Sequence, residues 1–196
     1  AIFSSVLLLV ACGGTTPVRV DTGNDTAGTV MGLDYRDFED AAANMVASML
    51  SSGAVSKPDG GRYVLAISRV TNDTMQRLDT DQLVKKMRVE LLRSGKVVVT
   101  TAVSGNGAED AMSYQARELR GNDEFDQDRV AGKGQVVAPD YSLSGKIIQR
   151  NNRIDSRNTQ VDYYFQMTLT DIDTGLAYWE DEVPIIKRGS SKTVTW

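Results

Sequence analysis

Histidine is absent from the 196 residues, and cysteine occurs once, at Cys12. Without imidazole there is no Ser-His-Asp or Cys-His machinery, no HExxH zinc site and no histidine acid–base pair. A single cysteine excludes an intrachain disulfide, a zinc knuckle and a cysteine-ligated iron–sulfur cluster. Basic excess is missing too: 22 Lys and Arg stand against 26 Asp and Glu, for a net charge of −4. A nucleic-acid-binding domain ordinarily carries the opposite balance, so no nucleic-acid partner is expected. Proline is scarce, at 4 residues, and the longest apolar run stops well short of the ~20 residues that span a bilayer. What remains, 41% hydrophobic and 24% charged, is the profile of an ordinary globular chain with one core.

That apolar run is Ile2 to Ala11, closed by Cys12-Gly13-Gly14. Its length and its small terminal residues fit the h-region of a secretory signal, with the signal's basic start expected upstream of Ala1. Leu9-Val10-Ala11-Cys12 resembles a bacterial lipobox. Residues 1–11 then read as a signal remnant and Cys12 as the lipid attachment site. A thiolate is a good nucleophile, and acyl chains worth ~0.8 kcal/mol per buried CH₂ make a lasting anchor. By resemblance to enterobacterial lipoproteins, Gly13 in place of an aspartate implies the outer membrane, with the domain facing the periplasm.

From Gly13 to Leu33 the chain is rich in Gly, Thr, Asp and Asn and shows no apolar period, so residues 12–33 read as a lipidated tether. It reaches ~75 Å at full extension and about 25 Å as a coil. At Asp34 the pattern changes. Asp34 is placed to cap a helix carrying Phe38, Ala42, Met45 and Met49 at helical spacing, with Gly53 as its stop. Arg62–Val70 reads as a buried strand followed by a polar turn at 71–74. Asp79 and Gln82 resemble a capping box that opens a helix with Leu83, Met87 and Leu91 on one side, ending at Gly95. Lys96–Thr100 is a second strand, which completes a βαβ-like unit.

Residues 104–138 are polar and read as an excursion with a short helix near 109–119. Three strands follow: 141–148, then 161–170 after a polar loop at 151–158, then 176–186 after an Asp173-Thr174-Gly175 turn. Val161, Tyr163, Phe165, Met167 and Leu169 alternate with polar residues and Tyr164, so one face of that strand is buried. The expectation is an α/β fold, a single domain over residues 34–196 with a mixed sheet and helices packed on it.

No catalytic constellation emerges. Glu180, Asp181 and Glu182 are consecutive on a strand, so Asp181 faces away from its neighbours, and Asp162 and Asp171 have opposite-face spacing. Gly105-Asn106-Gly107 and Gly132-Lys133-Gly134 complete neither GxGxxG nor a P-loop. Asp123–Asp128 lacks the central Gly and closing Glu of a calcium loop. A non-enzyme without cofactor or metal is expected.

Four stretches, Met45–Leu50, Val64–Thr74, Thr80–Val99 and Leu169–Trp179, together with Cys12, resemble the LpoB-type activators of penicillin-binding proteins, which are outer-membrane lipoproteins. The resemblance implies a non-catalytic domain that docks on a bifunctional penicillin-binding protein and stimulates peptidoglycan synthesis allosterically. The alternative is a curli-secretion-like or envelope-assembly scaffold lipoprotein that oligomerises at the outer membrane. Tyr164 and Trp179 are the aromatic candidates for a partner-binding patch on the 161–170 and 176–186 strands, since Tyr and Trp are enriched in such patches.

Overall fold

The computed structural model describes residues 22, 28–105 and 107–193. The expected signal segment, Cys12 and most of the expected tether lie outside them. Helix α1 (Tyr35–Ser52) starts where Asp34 accepts from the backbone N–H groups of Arg36 and Asp37, while Asp37 returns a carboxylate to the Asp34 N–H at 2.7 Å. This reciprocal cap satisfies donors that the first turn otherwise leaves open. Gly53, at φ 79°, ends the helix in a conformation that glycine adopts without strain. Phe38, Ala41, Ala42, Met45, Val46 and Met49 form its buried stripe.

Strand β1 (Tyr63–Asp73) is followed by helix α2 (Thr80–Arg93) and the short strand β2 (Val97–Val99), which pairs parallel to β1. Asp79 caps α2 through the Asp81 N–H at 3.0 Å. The Gln82 N–H reaches the Asp79 carbonyl instead of its carboxylate, so the expected box does not close. Among the described residues of the 104–138 excursion only helix α3 (Met112–Glu118) forms a regular element. Strand β3 (Tyr141–Arg153) lies parallel to β1, and β4 (Asn158–Asp171) and β5 (Ala177–Ser190) add antiparallel ladders. The sheet order is β2-β1-β3-β4-β5, mixed as expected.

Both long helices pack on one face of this sheet. Phe165, fully buried, meets Phe38 edge to face with centroids 5.8 Å apart. Leu65, Leu143, Ile147, Val161, Tyr163 and Leu169 join it in the same core, below Leu83, Met87 and Leu91 of α2. Each such side chain contributes about 1.5–3 kcal/mol through removal from water. Strand β5 obeys the same alternation: Trp179 and Lys187 are buried, whereas Tyr178, Glu180, Glu182, Pro184, Ile186 and Arg188 are exposed.

Candidate functional site

The carboxylates singled out in the sequence are committed to structure. Glu180 accepts from Thr168 Oγ1 at 3.0 Å and Glu182 from Gln166 Nε2 at 2.7 Å, a polar ladder across β4 and β5. Asp181 is turned to the opposite face, half-buried. Asp162, 6% exposed, accepts from Asn152 Nδ2 at 2.6 Å and Gln160 Nε2 at 2.7 Å. Asp171 is held below the usual carboxylate range by the Thr174 hydroxyl and N–H of the turn that it closes. Gln135 and Arg120 tie down the Gly132 turn through its N–H and carbonyl. Asp126 pairs with Arg129 and accepts from the Asp128 N–H. Among the described residues no group of three or more carboxylate or thiol side chains is placed to hold a metal ion, and no helix is long and apolar enough to cross a membrane.

Outward-facing residues of β3, β4 and β5 lie on the sheet face away from α1 and α2. In the ladder register Ile148, Tyr164 and Pro184 stand side by side, with Ile186, 55% exposed, one pair further along. A shallow depression of about 310 Å³ is lined there by Ile148, Arg150, Tyr164, Gln166 and Glu182. Lys146 pairs with Asp73 at 2.7 Å beside it. Half-buried Tyr164 stands in this apolar row, and tyrosine is the kind of group that anchors a protein contact. Trp179 points the other way. It is 7% exposed, and its indole N–H donates to Ser48 Oγ at 3.2 Å, which ties β5 to α1.

A second assembly holds the segment ahead of α1. Tyr163 donates its hydroxyl to the Met31 carbonyl at 3.1 Å, and Gln76 accepts from the Leu33 N–H at 3.2 Å. Lys187 donates to the Gly32 carbonyl at 2.7 Å and to Asp37 at 2.5 Å. Met31 is buried against Gly189, where an added Cβ would meet its sulfur at 2.6 Å. The packed unit thus takes in Met31–Leu33, which the sequence assigns to the tether. Burial raises the Tyr163 phenol far above its usual range, with the Asp37 charge adding to the effect. A readable signal for this clasp exists: Lys187 shares the inward register of Trp179, Val183 and Ile185.

A cavity of about 640 Å³ lies between β1, the start of α2 and Ser104, Gly105, Ala108 and Glu109. Buried Arg88 closes one side through its pair with Glu109, whose carboxyl is held below its usual range by that guanidinium. Asp79, Asp81 and Glu109 line it together with Arg69, Lys85 and Arg88, so the charges are balanced within the protein.

Comparison with known proteins gives one family match and several similar structures. The family model described as peptidoglycan-synthase activator LpoB matches residues 37–185. The LpoB C-terminal domain from Salmonella enterica is similar at 19% identity, covering 76% of this chain and 98% of that one, with a TM-score of 0.47. The corresponding domain from Escherichia coli gives 18% identity, 76% and 98% coverage, and a TM-score of 0.46. A lipoprotein from Neisseria meningitidis is similar at 14% identity, with 66% and 85% coverage and a TM-score of 0.39. No curated protein sequence matches.

Proposed function

Because the chain belongs to the LpoB family of peptidoglycan-synthase activators, we propose that it is a non-enzymatic lipoprotein that binds and stimulates a bifunctional penicillin-binding protein. The family match over residues 37–185 carries this reading. In it, residues 1–11 are signal remnant, Cys12 takes the lipid and the chain from Cys12 to the Met31–Leu33 clasp tethers the domain to the outer membrane, facing the periplasm. Binding energy at the docking surface biases the synthase toward its active state, and by linkage the active synthase binds the domain more tightly. Tyr164, on the open sheet face, is a contact in this reading. Trp179 contributes by holding β5 against α1.

The test uses residues 12–196 with Cys12→Ser, which keeps the protein soluble, and purified bifunctional synthases polymerising and cross-linking lipid II. An increase in both activities with one synthase supports the proposal and names the partner. Absence of binding to every synthase, together with a ring-sized assembly in solution, overturns it in favour of a scaffold. Tyr164→Ala is expected to weaken binding by about 1–2 kcal/mol with an unchanged melting temperature. A large loss of stability instead would remove Tyr164 from the contact.

A further inference from the structure

The β4–β5 turn carries more apolar surface than a turn requires. Asp173-Thr174-Gly175, with Gly175 at φ 72° and Asp171 accepting from Thr174, suffices to reverse the chain. Yet Ile172 and Leu176 flank it at 45% and 60% exposure, and Tyr178 follows at 51%. The ladder slips here: Leu169 pairs with Trp179 and Thr170 with Ala177, which leaves Tyr178 as an extra residue in β5. Such a bulge re-aims a side chain. The Tyr178 ring comes to 5.6 Å from that of buried Tyr141, which lies 4.9 Å from Tyr63, and Lys57 sits 5.3 Å over the Tyr63 ring. A half-exposed tyrosine backed by a fixed row of rings loses little freedom when a partner covers it.

The position of this turn in the fold indicates its occupant. The chain joins the domain at the clasp, where Tyr163 and Lys187 hold Met31 and Gly32, and the last described residues follow the same end of β5. Strand β4, with its 14 residues, spans about 43 Å, so the turn lies at the opposite end of the sheet. A domain tethered through its N-terminal segment presents this end to whatever stands across from the anchor. Asp140, Asp171 and Asp173 border the patch, which disfavours an anionic lipid surface and suits a protein site with a basic rim.

We infer that the turn residues Ile172, Leu176 and Tyr178 are the centre of the docking surface, seated in an apolar, basic-rimmed site on the extramembrane part of the synthase. This rests on the proposed function and locates its contact. Tyr164 lies about 26 Å from Ile172 back along β4, outside this centre.

The experiment measures binding of the Cys12→Ser chain to the synthase that it stimulates, for Leu176→Asp, Tyr178→Ala and, as a control of like chemistry elsewhere, Met112→Asp on α3. Leu176→Asp and Tyr178→Ala are expected to weaken binding about tenfold or more and to lower stimulation in step. Their melting temperatures stay within about 2 °C of the unaltered chain, and Met112→Asp binds normally. Should Tyr178→Ala unfold, Leu176→Asp decides, because its side chain is mostly in water. Normal binding by Leu176→Asp, or an equal loss in Met112→Asp, overturns the inference and leaves the proposed function standing. If the unaltered chain binds no synthase, the proposed function fails and this inference with it.

Discussion

Lys187 is held at 7% exposure by a carbonyl and a carboxylate, a costly arrangement that survives only because both partners are well placed. Replacing it with methionine keeps the aliphatic stem but leaves the Gly32 carbonyl and Asp37 with one donor fewer. Lys187→Met is expected to lower stability by about 3–5 kcal/mol, measured by urea unfolding, and to expose residues 28–33 to protease. A loss below about 1 kcal/mol would mean that water replaces the ammonium. The residues of this clasp show how far a sequence discloses such a site. Tyr163 is legible as a buried strand residue from its alternation with Tyr164, whereas Lys187 lies one residue past the 176–186 strand read from the sequence. Two of the acceptors are the backbone carbonyls of Met31 and Gly32, which no side-chain pattern encodes, and Gln76 arrives from a loop distant in sequence. Trp179 and Tyr164 look alike in a one-dimensional reading, yet α1 covers one and not the other.

At the level of elements, the caps and the apolar periods locate α1, α2 and the five strands, while the strand ends run further than side-chain patterning suggests. Asn72 and Asp73, expected in a turn, continue β1 because they pair with Ile147 and Ile148. Asn151 to Arg153, expected in a loop, extend the β3–β4 ladder by pairing with Val161 to Thr159, since its hydrogen bonds are made by the backbone and need no apolar side chain. Gly145 marks where these ladders crowd. The β1 register shifts between Ile67 and Val70 beside it, and a Cβ at this position would come within 2.5 Å of the Gln166 carbonyl and strike Met167. Gly145→Ala is therefore expected to cost about 1–3 kcal/mol. An unchanged unfolding midpoint would show that β4 moves away at no cost. The excursion at 104–138 was readable only as polar chain with a short helix. Its attachment to the domain, Arg88 to Glu109 and Gly105 against β1, is made by contacts that no local pattern announces.

Across the whole molecule, two acidic groups tie separate parts together and set its behaviour in acid. Burial alone would raise Asp34, but hydrogen bonds from Arg36 and the charge of Lys187 bring it below its ordinary value of 3.8. The Arg88 guanidinium likewise lowers Glu109 from 4.5. A carboxyl lowered on folding adds stability above its unfolded pKa and loses it as the pH falls through the folded value. Stability is thus expected to be flat between pH 7 and about 5 and to fall below about 4, with a shallower fall in Asp34→Asn and Glu109→Gln. Urea midpoints at several pH values check this, and parallel curves for all three proteins would refute it. The clasp also bears on how the domain responds to mechanical load. A pull on the chain ahead of Met31 reaches Tyr163, Gln76 and Lys187 before it reaches the first turn of α1. Force is then shared between β4, β5 and the loop after β1, so the helix that covers the core is not the first part to peel.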